Sequence, residues 1–493
     1  MKNIIFNYLP PAALHIPSIA FNSLKSPIDN KKYDVKTIYW NEILYNKTPR
    51  IKNSDQDFSI LLPYLLILAS ENPENFNLSL FKTYLHVDNP GLYLINEKKI
   101  LDPISKFNKY LDSEINHFYE KNIKDSAPLL IGFTSKFYQW IPAYYFARKI
   151  KKKDPKVPIV IGGFGSKEIA NSFSKILDCF DYFVYGEGEL PLLKLINYLE
   201  KSKSENIELS NIVVNSKINE SIKISEGKEC IEFRNYKFPD HLTDYNYRKN
   251  QHTRIPINSI RGCYWNRCKF CSLNKGYSYR ERDPENIIAE IEYHIEKYNI
   301  YKFIFIDSNV VGHKIVRFIR LLDLLIELNE KVSFKLDFIG EIIPCFINKE
   351  IIEKISLAGF TSLQIGYEAL SDKLLKKINK RNTLSDNIFF VKIAAKYKLE
   401  VGYNNLISSI PNETEEDLVE SLHNIHFLRF LLSNKSIDFR HNYITLSIDS
   451  LSRYYFELDE DTLKDYNKRN FEGVIPNVDK PQPNRDFFIS LTH

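Results

Sequence analysis

Short, continuously apolar runs alternate along this chain with stretches of helical spacing, and the alternation occurs in two separate zones. In the first zone, runs at Ile4–Tyr8, Val35–Trp40, Leu129–Phe133, Val157–Ile161 and Tyr182–Tyr185 predict strands. Helical patterns at Tyr138–Lys152 and Lys167–Leu177 lie between them. Runs that are apolar throughout belong to strands covered on both faces, so the expectation is a parallel sheet between helical layers. The stretch from Ser54 to Glu120 reads as mostly helical, an insertion or lid within the first domain.

A charged, Ser- and Asn-rich segment from Glu200 to Glu226 breaks the pattern and places the domain boundary within Lys201–Arg254. The second zone has predicted strands at Ile255–Ile260, Tyr301–Asp307, Val332–Ile339, Ser362–Tyr367, Val401–Ile407 and Asn442–Ile448. Helical patterns separate them at Pro284–Tyr298, His313–Asn329, Lys349–Ala358, Asp372–Ile378, Asp386–Lys398 and Glu415–Leu432. Six strands with intervening helices predict an open or partial barrel, whose reactive groups sit at the strands' C-terminal ends. The expected layout is an α/β domain over 1–200, a connector over 201–254, a partial (β/α)6 barrel over 255–455 and a polar tail over 456–493.

Three cysteines follow the first barrel strand, in Arg261-Gly-Cys-Tyr-Trp-Asn-Arg-Cys-Lys-Phe-Cys271. A Cys-x4-Cys-x2-Cys trio of Cys263, Cys268 and Cys271 with no fourth thiol nearby suits an iron–sulfur cluster with one open iron. Such an iron can hold a small molecule and pass it one electron, which predicts a redox enzyme that starts radical chemistry. Structural zinc, in a metal-stabilised binding protein, is the alternative, and it normally takes four protein ligands. Only Cys268 and Cys271 form a Cys-x2-Cys pair, while Cys179, Cys230 and Cys345 are scattered and no His lies in the trio. Six cysteines in 493 residues do not make a secreted disulfide framework.

Composition narrows the field further. A chain of 493 residues exceeds one ordinary core, and 44% apolar with 26% charged residues is usual for globular proteins. A net charge of +5, from 67 basic and 62 acidic residues, gives no case for a nucleic-acid partner. Lys149–Lys153 is basic but ends a predicted helix. The N-terminal apolar run is broken by Asn7 and two prolines, which argues against a secretion signal. The longest apolar stretch, Ile60–Ala69, contains Pro63 and falls far short of the ~20 residues of a membrane span. A cytoplasmic protein with no membrane partner is expected.

Several further positions stand out for their chemistry. Gly162, Gly163 and Gly165 follow one predicted strand, and Gly186-Glu187-Gly188 follows the next. Paired glycine turns suit a cofactor lying on the sheet edge, where backbone must approach a ligand. Glu368 ends the fourth barrel strand, where a carboxylate requires either the open barrel mouth or a local ion pair. Asp307 and Asn309 close the second barrel strand and serve either a ligand or the following turn. Asn405 poses the same choice within the fifth strand, Phe270 lies between two of the cysteines, and His15 is a lone histidine in an apolar loop.

The cysteine loop after the first strand of a partial barrel resembles the radical SAM superfamily. So do Gln364-Ile-Gly-Tyr-Glu-Ala-Leu-Ser371 and the Asn404–Asp417 segment, which is similar to the family's PGET-x-ED turn with Asn412 in place of Gly. The first zone, with Pro155–Gly165 and Asp181–Pro191, resembles the Rossmann-like cobalamin-binding domain that precedes the barrel in one large subgroup. Within it, Cys271–Arg280, Phe305–Asn309 and Ser447–Tyr455 look like the maturases of ribosomally made peptides. Most members have three residues between the first two cysteines and this branch often has more; the four here fall between.

The resemblance implies a four-iron, four-sulfur cluster on Cys263, Cys268 and Cys271, with S-adenosylmethionine on the open iron and one electron cleaving it to a 5′-deoxyadenosyl radical. It places the Phe270 backbone at the adenine, Glu368 at the ribose or amino group, and Asp307, Asn309 and Asn405 nearby. It places cobalamin on the glycine turns, Gly162, Gly163, Gly165, Gly186, Glu187 and Gly188. No Asp-x-His-x-x-Gly occurs, so no histidine is expected on cobalt. The implied activity is methylation of an unactivated carbon of a precursor peptide, with an electron donor such as flavodoxin or ferredoxin. Crosslinking or epimerisation of the peptide without methyl transfer is the alternative.

Overall fold

The computed structural model describes residues 1–49, 63–64, 67–68, 97–201, 208–218, 222–225, 227, 230–233, 237–246, 252–273, 276–402, 404–432, 441–446, 448 and 451–467. The chain divides into two compact units, Met1–Thr253 and Arg254–His493.

The first unit is built on six strands: β1 (Lys2–Tyr8), β2 (Tyr33–Tyr39), β3 (Leu130–Thr134), β4 (Ile159–Phe164), β5 (Tyr182–Tyr185) and β6 (Ile212–Val214). Their spatial order is β2-β1-β3-β4-β5-β6. All neighbours are parallel except β5 and β6, which are antiparallel. The 2-1-3-4-5 order is doubly wound, and its topological switch point lies between β1 and β3. Apolar runs explain the strands: all five residues of β3 are buried. Helix Trp140–Lys153 buries Ile141, Ala143, Phe146, Ala147 and Ile150. Helix Glu189–Glu200 adds Leu192, Leu195 and Ile196 to a core shared with Ile4, Phe6, Leu130 and Val160.

The expected connector contributes to this unit. Ile212–Val214 is short and flanked by polar residues, so its apolar signal is weak, yet it forms the edge strand against Tyr182–Val184. Of the expected helical insertion, Glu97–Tyr119 is a 23-residue helix, and most of 50–96 lies outside the described residues.

The second unit holds parallel strands β7 (Ile255–Ile257), β8 (Lys302–Phe305), β9 (Asp337–Ile342) and β10 (Phe360–Ile365), with the short piece Glu400–Val401 beside β10. Strands β11 (Asn404–Ser408) and β12 (His441–Thr445) form a parallel pair. A parallel bridge between Glu368 and Leu406 joins that pair to the continuation of β10. The expected fifth strand is thus broken in two, because Val401 pairs with Leu363 whereas Leu406 is drawn to Glu368. The third strand begins at Asp337 rather than Val332, since Asn329 ties down the preceding loop by accepting from Leu336 N at 3.0 Å and donating to Ala358 O at 2.8 Å.

The turn after β11 explains a sequence substitution. Asn412 has φ 60°, a left-handed conformation that Asn tolerates better than other side-chain-bearing residues. Thr414 and Asp417 then cap helix Glu415–Leu432 reciprocally: Asp417 accepts from Thr414 N at 2.9 Å, and Thr414 Oγ1 accepts from Asp417 N at 3.3 Å.

Candidate functional site

The cysteine loop leaves the sheet directly after β7, and its base is closed by a short ribbon in which Ile260–Arg261 pairs antiparallel with Arg280–Glu281. Gly262 (φ 77°) makes the turn possible: a Cβ there would lie 3.1–3.3 Å from the backbone of Ser278 and Tyr279. Asp307, at the end of β8, fixes the entry. Its carboxylate accepts from Ser259 N and Ile260 N, both at 2.9 Å, and from the Ser259 hydroxyl. Burial pushes its carboxyl up to about 6, against the pull of those hydrogen bonds and of Arg317. Asn309 spans the next loop by accepting from Ile343 N at 3.0 Å. Both residues sit where the sequence places them, but their polar atoms bind the protein's own backbone. The turn role that the sequence left open for both is therefore present.

The cysteines are half-buried and none is in a disulfide. Burial pushes the Cys268 thiol up to about 12 and raises that of Cys271, while Lys380 opposes both shifts and Cys263 and Glu368 reinforce both. Buried thiols such as Cys268 and Cys271 become thiolates only beside strong positive charge, as an iron–sulfur cluster supplies. The donor set therefore fits a three-thiolate cluster.

A second segment grips this loop. Lys269 N donates to Ile378 O at 2.9 Å, Trp265 Nε1 to Asn379 O at 2.9 Å, and Asn379 Nδ2 to Arg267 O at 3.0 Å. The Arg381 guanidinium lies over Tyr264 at 4.7 Å and over Phe346 at 5.0 Å. From the late helix Arg453–Glu457, Tyr454 N donates to Lys269 O at 3.0 Å and Lys269 pairs with Glu457 at 2.7 Å. The sequence reading gave residues 379–381 no role, and only the Ser447–Tyr455 resemblance touched 453–457.

Glu368 has φ 59° and its backbone bridges to β11, with Ile407 N donating to its carbonyl at 2.9 Å. Its carboxylate is paired with Lys380 at 2.8 Å, with side chains only 10% and 8% exposed. The ion pair that the sequence left as the local reading of Glu368 is therefore present. Gly366 makes room for it: a Cβ there would stand 2.5 Å from Lys380 Nζ and 2.9 Å from Glu368 Oε1. Desolvation works against the Lys380 charge, but the attraction of Glu368 prevails and its pKa is raised. Lys380 Nζ also lies 6.0 Å from the centre of the Phe270 ring. On β9, desolvation and then the Glu368 charge raise the pKa of Glu341. Asn405 pairs with Asn442 in the sheet, and its side chain lies outside the described residues.

In the first unit, the predicted glycines do stand at strand ends. Gly163 (φ 100°) serves the chain itself, because a Cβ there would meet Ser135 Oγ at 3.0 Å and Lys136 Cγ at 3.1 Å. Gly186 N donates to Phe164 O at 2.8 Å, tying the two glycine turns together, and Gly162, Gly165, Gly186 and Gly188 are half-buried. Glu187 is buried, 3% exposed. The sequence reading missed the loop after β3. Ser135 N donates to Gly162 O at 2.8 Å, and Gln139 Nε2 donates to Pro11 O at 3.2 Å, so the β1, β3 and β4 ends are linked across the switch point.

Residues 257–425 match the sequence profile of the Radical SAM superfamily, so the second unit carries a radical SAM domain. The fold of the chain is similar to those of two solved cobalamin-dependent radical SAM enzymes. It resembles the radical S-adenosylmethionine methyltransferase TsrM of Kitasatospora setae, solved with cobalamin and a [4Fe-4S] cluster, at TM-score 0.61 and 13% identity over 93% of this chain and 78% of that one. It also resembles the cobalamin-dependent S-adenosylmethionine radical enzyme OxsB, solved with aqua-cobalamin, at TM-score 0.63 and 15% identity over 98% of this chain and 63% of that one. Among curated proteins, the anaerobic magnesium-protoporphyrin IX monomethyl ester cyclase of Rubrivivax gelatinosus is 24% identical over 63% of this chain and 57% of its own length. An uncharacterized methyltransferase of Pyrococcus horikoshii is 25% identical over 60% of this chain and 64% of its own length. Both alignments thus span under two thirds of the relative.

Proposed function

We propose that this protein is a cobalamin-dependent radical SAM methyltransferase that methylates an unactivated carbon of a ribosomally made peptide. The observation that carries the reading is the thiol trio held at the C-terminal end of β7 between two protein segments, in a chain that also has a doubly wound sheet. Cys263, Cys268 and Cys271 would hold the cluster, and the Phe270 backbone and Glu368 would contact S-adenosylmethionine. The β1, β3 and β4 ends with the glycine turns would hold cobalamin. Together these cofactors supply a carbon radical and a transferable methyl group, which a carbon without an acidic proton requires. The protein's share is to hold the cysteine loop and the Glu368–Lys380 pair in fixed positions.

The peptide substrate rests on the similarity of Cys271–Arg280, Phe305–Asn309 and Ser447–Tyr455 to peptide maturases. A flavodoxin- or ferredoxin-like protein would supply the electron. Among the described residues no helix is long and apolar enough to cross a membrane. The relatives include a cyclase, so the products must be counted. The test is co-expression with a precursor peptide encoded nearby, followed by mass spectrometry. A gain of one methylene per modified residue, with both 5′-deoxyadenosine and S-adenosylhomocysteine, is expected. 5′-Deoxyadenosine with a peptide of unchanged or reduced mass, and no S-adenosylhomocysteine, would replace methyl transfer by crosslinking or epimerisation.

A further inference from the structure

Lys380 is a charged side chain in the wrong kind of place for a surface lysine. Its ammonium is almost wholly withdrawn from water and has one strong partner, the Glu368 carboxylate at 2.8 Å. Its other close neighbour is the ring of Phe270, which stands between Cys268 and Cys271. The backbone on both sides is fixed to the same loop: Ile378 O accepts from Lys269 N, and Asn379 bonds both Trp265 and Arg267. The missing side chain at Gly366 leaves the space the ammonium occupies. The cation is therefore held at the thiol loop by six separate features of the fold, and an ion pair that served stability alone would need none of the loop contacts. Replacing such a pair by apolar groups is often neutral for stability, so stability gives little reason for burying it.

We propose that Lys380 sets the reduction potential of the cluster bound by Cys263, Cys268 and Cys271, and that Glu368 moderates it. The inference rests on the cluster reading above. On reduction the cluster gains one electron from a one-electron donor protein, with no proton or leaving group, and so gains one negative charge. A fixed cation nearby in low dielectric favours that added charge, and an anion opposes it. Lys380 thus makes the cluster easier to reduce. Glu368 reduces that effect and holds the ammonium in place. Lys380 is a positioning and tuning group, not a catalytic residue.

The experiment uses the full chain, reconstituted anaerobically with iron and sulfide and without S-adenosylmethionine. Iron content is measured first, then the midpoint potential by a redox titration followed by electron paramagnetic resonance. Lys380→Met should keep its iron and shift the midpoint to more negative potential. Glu368→Gln should shift it the opposite way, and Lys380→Arg should stay close to wild type. Equal midpoints in all proteins, or shifts of the same sign for Lys380→Met and Glu368→Gln, would overturn the inference. If Lys380→Met alone loses its iron, the sign of the Glu368→Gln shift decides. If both lose it, the pair is structural and the inference falls. Failure of the wild-type protein itself to hold iron would instead refute the cluster reading.

Discussion

The Lys380 ammonium and the Glu368 carboxylate stand 2.8 Å apart at the mouth of the second unit's sheet, with Gly366 supplying the room between them. A carboxylate at the end of the fourth strand is thus neither alone nor solvated. It retains oxygen lone pairs for a ligand, since an ionised carboxylate accepts at about four sites. Glu368→Gln should therefore weaken S-adenosylmethionine cleavage roughly ten- to a hundredfold, the size of one charged hydrogen bond. Iron and cobalamin contents should stay near wild type. Gly366→Ala should lower cleavage in the same direction by displacing the pair. Production of 5′-deoxyadenosine at the wild-type rate in Glu368→Gln would place this carboxylate away from the cofactor.

The six cysteines should separate cleanly by function. Cys263→Ala, Cys268→Ala and Cys271→Ala should each lose the cluster, read as iron and sulfide per chain. Cys179→Ala and Cys345→Ala remove buried thiols remote in sequence from the loop, and Cys230→Ala a half-buried one. These three should keep full iron, with at most about 1 kcal/mol of stability lost for a small buried group. Stoichiometric zinc with no reducible iron would return the trio to a structural role.

Asp307 makes a pH prediction whose sign is unusual for a carboxylate. Its folded pKa, about 6, lies above the ordinary 3.8. The folded state therefore prefers the proton. Its favourable contribution is complete below the unfolded pKa and is lost as pH rises from about 4 through 6. A raise of this size corresponds to about 3 kcal/mol. Asp307→Asn should flatten the fall in stability across that window, measured by urea unfolding at several pH values. It should weaken the Ser259–Ile260 anchor at all pH values. An unchanged slope between pH 4 and 6 would mean that Asp307 ionises normally in the fold.

Gly163 offers a test that needs no cofactor. Its φ of 100° and the closeness of Ser135 and Lys136 predict that Gly163→Ala destabilises the first unit in cobalamin-free protein. The loss should exceed about 1 kcal/mol, the ordinary scale of a backbone strain. A thermal melt of the apoprotein identical to wild type would show that this glycine serves only a ligand. Gly162→Ala is the matched control, because its Cβ would make only ordinary contact with Val184 at 3.6 Å.

The sequence by itself determined the two zones of strand and helix, the cysteine trio and its place after the first strand, and the glycine turns at strand ends. These are local properties: burial on both faces demands continuous apolar runs, and a loop ligand set is written in consecutive residues. The tertiary structure decided what each polar group does. In the sequence Asp307 and Asn309 could serve a ligand or the following turn, and the fold gives each a backbone amide of a neighbouring loop. The partner of Glu368 is a lysine beyond the next helix, brought back by the turn at Asn379 (φ 54°). Arg453 Nη2 reaches Asn266 O at 3.4 Å across 187 residues, so the hold on the cysteine loop had no local signature. The edge strand at Ile212–Val214 likewise exists because β5 offers unpaired backbone groups, which no pattern within those three residues announces.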